Sequence, residues 1–150
     1  MRATTPMTRE VIVIPPELKL NSAWSIMRRE HIRHLPVVRA GALIGMLSDR
    51  DVLARATVSS KDGAVHVPGD VTVGEAMTAT PLKTCEASTD VADLAKMMTE
   101  AKIDAIPVVR GLHLLGLVTS TDLLELLIHR DQARPLPFEY RLIEDSRVDT

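Results

Sequence analysis

Ile32-Arg33-His34-Leu35-Pro36-Val37-Val38-Arg39 is followed, 71 positions later, by Ile103-Asp104-Ala105-Ile106-Pro107-Val108-Val109-Arg110. At the same offset, Gly45-Met46-Leu47-Ser48-Asp49-Arg50-Asp51-Val52-Leu53 lies over Gly116-Leu117-Val118-Thr119-Ser120-Thr121-Asp122-Leu123-Leu124. From Met27 to Leu53, 10 of 27 positions are identical, and several others exchange one aliphatic side chain for another. Self-similarity at a fixed offset means two copies of one supersecondary unit.

Outward from this match, each copy reads in the same order. A short extended run opens it, Val11–Ile14 in the first and Leu82–Cys85 in the second. Pro15-Pro16 ends the first run and Glu86-Ala87-Ser88-Thr89 the second. Leu20, Ala23, Trp24 and Met27 then recur at helical spacing, as do Val91, Leu94, Ala95 and Met98. Two apolar strands with a tight turn follow: Leu35–Arg39 and Leu43–Leu47 around Gly41, then Ile106–Arg110 and Leu114–Val118 around Gly111. A last helix starts after Ser48 and after Thr119. The pattern is β-α-β-β-α twice, an α+β (α/β) fold. About 55 residues bury such a sheet poorly alone, so the copies are expected to pack on each other. The divisions predicted are residues 1–60 for the first copy, 61–70 for a linker, 71–130 for the second copy and 131–150 for a tail. The stretch Thr57–Gly69, with Lys61-Asp62-Gly63 and Pro68-Gly69, reads as a loop. The tail carries Phe138 and Tyr140 and is either a loose end or a strap packed on a neighbour.

Composition narrows the function. The 150 residues are 45% hydrophobic and 25% charged, which excludes a disordered or fibrous chain. Trp24, Phe138 and Tyr140 are the only aromatics, too few for a base-stacking platform. A net charge of -2 argues against nucleic acid as a partner, although Arg28–Arg33 is locally basic. The single Cys85 excludes an intramolecular disulfide; it aligns with Ile14 and reads as a small buried strand residue. Met1–Arg9 lacks the apolar core of a signal peptide, and no run approaches the ~20 apolar residues of a membrane helix. A cytoplasmic protein without membrane contact is expected. His31, His34, His66, His113 and His129 lack ligand spacing, so no metal site is expected. Ser48, His34 and Asp51 are triad residue types without triad spacing, so no catalytic residue and no enzyme activity are expected.

Both copies end in Gly-h-h-[Ser/Thr]-x-x-Asp, where h is apolar: Gly45, Ser48 and Asp51, then Gly116, Thr119 and Asp122. One reading is a capped helix, since a hydroxyl followed three residues later by an acid is close to a capping box. The other uses the same atoms for binding. A helix N-terminus favours phosphate, a cap hydroxyl adds a donor, and a carboxylate one turn in can accept both hydroxyls of a ribose. Glycine three residues earlier lets something approach the strand backbone.

The tandem pattern, with Met-Thr at 7–8 and again at 77–78, resembles the cystathionine-β-synthase-like (CBS) domain pair over roughly residues 5 to 130. The resemblance implies two β-α-β-β-α repeats packed sheet to sheet with pseudo-twofold symmetry. It implies two clefts between the copies that bind AMP, ADP, ATP or another adenosine compound such as S-adenosylmethionine, with no obligatory cofactor. It also implies a homodimer and signalling to an effector protein in trans. Carried over by position, Asp51 and Asp122 match the ribose acid, and Ser48 and Thr119 the hydroxyl near phosphate. Arg50 and Thr121 lie between them. Thr80, Pro81 and Leu82, with Glu10 and Val11 in the other copy, match the region that contacts adenine. Arg33 and His34 match basic positions before the central proline, where the second copy has Asp104 and Ala105.

The copies differ in charge. Residues 20–55 carry Arg28, Arg29, Arg33, Arg39, Arg50, Arg55, His31 and His34 against Glu30, Asp49 and Asp51. Residues 91–126 carry Lys96, Lys102 and Arg110 against Asp93, Glu100, Asp104, Asp122 and Glu125. Charge-assisted contacts to phosphate are the strong ones, so the cleft holding Asp51 is expected to bind more tightly. Arg28, Arg29 and His31 read as a solvated helix face; Arg33, His34 and Arg50 are open between that and a site role. The competing reading is a dimerisation or scaffold module with vestigial clefts.

Overall fold

The computed structural model describes residues 1–3, 11–80 and 82–129. The readings placed on Glu10, Pro81 and the tail with Phe138 and Tyr140 lie outside the described residues. Two compact units emerge, Ile12–Leu82 and Met1–Val11 together with Lys83 onward.

In the unit Ile12–Leu82, helix α1 (Leu20–Glu30) turns Leu20, Ala23, Ile26 and Met27 inward. Trp24 is half-buried against the same core, with the Arg28 guanidinium 5.8 Å from its ring centre. The helix stops at His31, which adopts a left-handed φ of 55° while its N–H donates to the Met27 carbonyl. Strands β1 (His34–Arg39) and β2 (Ala42–Ser48) form an antiparallel hairpin. Its two-residue turn, Ala40-Gly41, has φ of 50° and 82°, the type I′ pattern whose twist suits a hairpin. Leu43, Gly45 and Leu47 are buried along β2, with half-buried residues between them, as a period of two demands. Helix α2 (Asp49–Leu53) follows directly.

The stretch expected to be a loop contains a small hairpin of β3 (Thr57–Val58) and β4 (Val65–His66). Strands of two residues carry no periodicity, so the sequence could not announce them. Ser59 N–H closes on the Ala64 carbonyl, and the Asp62 carboxylate accepts from Ala64 N–H at 3.0 Å. That bond and the Ser59 hydroxyl hold Asp62 below the usual carboxylate range. Helix α3 (Val73–Ala76) and strand β5 (Thr78–Ala79) complete the unit, and β5 pairs with β2.

In the other unit, α4 (Val91–Ala101) buries Leu94 and Met98 and ends in a left-handed Lys102 at φ 54°. Strands β6 (Ala105–Arg110) and β7 (His113–Thr119) pair in the register of β1 and β2. Their turn differs: Gly111 alone has a positive φ, 61°, at the first position, as in a type II′ turn. Helix α5 (Ser120–His129) follows; it is twice the length of α2.

The opening extended run of each copy shrinks to one parallel bridge, Ile14 on Val37 and Cys85 on Val108. Ile14 N–H donates to Pro36 and its carbonyl accepts from Val38, but Pro15 has no N–H to continue the ladder. In the second copy Glu86 N–H is taken by the Thr89 hydroxyl at 3.0 Å, which turns the chain away.

The sequence copies and the compact units divide the chain differently. Residues 71–73, from the head of the second copy, bond α1: Leu20 N–H reaches the Val71 carbonyl and Val73 N–H the Leu18 carbonyl, both at 2.8 Å. Residues 1–3 do the same for α4, with Val91 N–H on Met1 at 2.8 Å and Ala3 N–H on Thr89 at 2.6 Å. Ala3 is fully buried there with Cys85, Leu94, Ile106 and Val118. Among the described residues, no helix is long and apolar enough to cross a membrane.

Candidate functional site

In the first copy the site is set by the end of β2. Ser48 is the N-cap of α2 with extended backbone. Its Oγ accepts from Asp51 N–H at 3.2 Å, and its own N–H donates to Asp51 Oδ2 at 2.8 Å. Thr119 and Asp122 repeat both bonds in the second copy, at 3.3 Å and 2.8 Å. The capped-helix reading is therefore realised twice. It does not consume the acid: Asp51 Oδ1 accepts no hydrogen bond among the described residues, and the residue is half-buried. Each box holds its carboxylate in one orientation at a helix start; in α2 the Arg50 N–H is also taken, by Asp49 Oδ1 at 2.9 Å.

A third bond steadies each helix start. Asp49 N–H donates to the Arg33 carbonyl and Ser120 N–H to the Asp104 carbonyl, both at 2.9 Å. Arg33 therefore sits against the first turn of α2, with its side chain exposed. His34 opens β1 directly across from Ser48 and is half-buried. Arg50 is exposed in the first turn. Arg33, His34, Ser48, Arg50 and Asp51 are thus one cluster at one end of the β1–β2 hairpin. At the matching place stand Asp104, Ala105, Thr119, Thr121 and Asp122, where Ala105 faces Thr119.

Thr80 lies away from that cluster but in the same unit. Its N–H donates to the Ile44 carbonyl at 3.1 Å, one strand over from β2. Leu82 is half-buried at the end of this unit, whereas Val11 is buried in the other. Glycine at position 45 has a concrete reason. A Cβ there would lie 2.5 Å from Met77 Sδ and 2.9 Å from the Thr78 carbonyl oxygen. The backbone that approaches the glycine is the chain's own, at β5.

Sequence reasoning missed Arg55. Its Nη2 donates to the Glu75 carbonyl at 2.9 Å and so ties the residues after α2 to α3. Nothing in the local sequence marks it, because its partner is a backbone oxygen 20 residues away. Among the described residues no group of three or more His, Cys, Asp or Glu could hold a metal ion. Cys85 is buried on its strand, and burial pushes its thiol up to about 11, so it is no nucleophile at neutral pH.

Two α+β units, each containing a hairpin that leads into a boxed helix, define a tandem domain-pair protein. The chain belongs to the CBS-domain family, whose profile matches residues 5–57 and 69–129. It is 32% identical over 117 residues to the CBS domain-containing protein YhcV of Bacillus subtilis, covering 78% of this chain and 79% of that one. Among solved structures, it is similar to CBSX2 in complex with AMP, with a TM-score of 0.74 at 23% identity over 87% of this chain and 99% of that one. The CBS domain pair of MJ0100, in complex with 5′-methylthioadenosine and S-adenosyl-L-methionine, gives a TM-score of 0.71 at 24% identity, covering 87% and 98%.

Proposed function

We propose that this chain is a cytoplasmic regulatory module that binds an adenosine nucleotide, AMP, ADP or ATP, and signals cellular energy status in trans to an effector protein as a homodimer. The observation that carries the reading is the doubled box, Ser48 with Asp51 and Thr119 with Asp122, which holds a carboxylate in one orientation at the start of a helix in both copies. The adenosine compounds bound by the CBSX2 and MJ0100 pairs support the ligand class. The Asp51 site, with Arg33, His34 and Arg50 around it, is the tighter one, because phosphate gains most from charged donors. Thr80, Pro81, Leu82 and Val11 serve the adenine. Binding shifts the output through differential affinity for two arrangements of the protein.

The test is calorimetric titration with AMP, ADP, ATP and S-adenosylmethionine, alongside thermal melts. A ligand at 100 times its Kd adds about 2.7 kcal/mol, or roughly 5–10 °C in Tm at this size. Asp51→Asn keeps an oxygen for the Ser48 N–H and removes the charge, so it should abolish the tight site at little cost in stability. Asp122→Asn should spare it. The ranking is wrong if Asp122→Asn removes the tight site instead. A screen flat with every nucleotide overturns the binding role. That result would favour the scaffold reading, which one observation supports: the first turn of α5, Ser120, Thr121 and Asp122, carries no cation.

A further inference from the structure

Within the unit Ile12–Leu82, two short helices lead to the candidate site, and each is anchored at its start. Helix α2 is held by its box and by Asp49 N–H on the Arg33 carbonyl. Helix α3 is held by Val73 N–H on the Leu18 carbonyl at 2.8 Å, by Gly74 N–H on the Pro16 carbonyl at 2.9 Å, and by the Thr72 cap on Glu75 N–H. Arg55 joins their other ends. After Leu53 the chain tightens, with Ala54 N–H on the Arg50 carbonyl, Arg55 N–H on Val52 and Ala56 N–H on Leu53. From that turn the Arg55 guanidinium reaches the Glu75 carbonyl at 2.9 Å. A helix leaves its last carbonyls without intrahelical partners, so Glu75 offers an acceptor, and a charged donor makes the stronger bond. Glu75 is held from its side chain as well, since its Oε1 accepts from the Thr72 hydroxyl at 3.2 Å.

Both ends of this bond lie close to the site along the chain. Arg55 follows Asp51 by four residues, and Glu75 precedes Thr80 by five. Between Glu75 and Thr80 come Met77, whose thioether lies over Gly45, and β5, which pairs with Gly45 and Met46. The second copy lacks the donor: at the offset of 71, Leu126 stands where the first copy has Arg55.

We propose that Arg55 is a positioning residue of the Asp51 site. Its bond to Glu75 holds α2, which carries the ribose acid, against the α3–β5 segment, which carries Thr80. This role rests on the nucleotide reading above and adds to it a residue that touches no ligand. Binding groups act together only when supporting bonds hold them within ~0.5 Å of the productive geometry. The bond is exposed, so its loss loosens the site without unfolding the unit.

The first readout needs no ligand. Arg55→Met leaves an unbranched side chain with no donor. In the ligand-free protein it should speed hydrogen exchange at the Met77 and Thr80 amides about fivefold, the factor one hydrogen bond carries. Arg55→Lys keeps a donor and should restore most of the protection. The second readout is calorimetric titration with AMP and with adenosine. Both should bind Arg55→Met about fivefold more weakly, and Arg55→Lys should recover most of that loss. Adenosine is decisive, because it carries no phosphate and is indifferent to the lost charge. Unchanged exchange in Arg55→Met overturns the tie between the helices. Unchanged affinity, beside normal binding by the unsubstituted chain, overturns the positioning role alone. So does a loss confined to AMP, which would make Arg55 a phosphate contact. An unsubstituted chain that binds neither ligand overturns the nucleotide reading and the role that rests on it, while exchange still reports on the bond.

Discussion

Replacing Gly45 with Ala probes the point where strand pairing and the candidate site meet. The added methyl would stand 2.5 Å from Met77 Sδ, 2.9 Å from the Thr78 carbonyl oxygen and 3.1 Å from Met77 Cε. The methionine tip can swing aside, because its thioether is flexible. The Thr78 carbonyl cannot, because β5 is fixed by its pairing to Gly45 and Met46 and by the Thr80 N–H on Ile44. Reaching ordinary contact at 3.4 Å requires β5 to retreat by about half an ångström, which strains those bonds, each worth about 1 kcal/mol. Overpacking of this kind costs about 1–3 kcal/mol. Alanine returns about 0.4–1 kcal/mol by restricting the unfolded chain, since the φ of Gly45 is not left-handed. The net expectation is a loss of about 1–2 kcal/mol, or roughly 2–8 °C in Tm for a chain of this size. Nucleotide affinity should weaken as well, because Thr80 rides on β5. Differential scanning calorimetry and titration measure both. Adding Met77→Ala should recover only part of the loss, since the backbone oxygen stays. An unchanged Tm in Gly45→Ala, or full recovery in the double variant, would refute the account of β5 as the rigid neighbour.

Two further outcomes are expected. Ala40 and Lys102 hold left-handed φ of 50° and 54°, which costs an L-residue about 1–2 kcal/mol. Ala40→Gly and Lys102→Gly should therefore each stabilise by about 0.5–1 kcal/mol in chemical denaturation after the entropy of glycine is subtracted, while Gly111→Ala, at φ 61°, should destabilise. The Cys85 thiol is raised from 9.0 to about 11 by burial, so the folded state prefers it protonated. Its contribution to stability is fully present below pH 9 and is lost as pH rises through about 11. Denaturant titrations across that window should show a decline that Cys85→Ala lacks; alkylation of the native protein at pH 8 at the rate of a free thiol would contradict it.

The repeat at offset 71 was legible because duplication leaves a mark that survives substitution of one aliphatic for another. Helices α1 and α4 and both hairpins followed from periodicity and from glycine at the turns. So did the boxes, since a hydroxyl and an acid three residues apart act within one helical turn. All of these are local effects, in which the residues that decide the structure are also the ones that interact. Other features depend on partners far along the chain. That Val71 seats α1 and Met1 seats α4, that Arg55 reaches Glu75, and that Gly45 is small to admit β5 depend on contacts 20 to 90 residues apart. The exposed face of α5 belongs with them: Leu124, Leu127 and Ile128 look like core residues by composition, and only the tertiary packing of β7 and α4 left them facing outward. A sequence states which side chains seek cover; which neighbour arrives to supply it is settled by the folded chain as a whole.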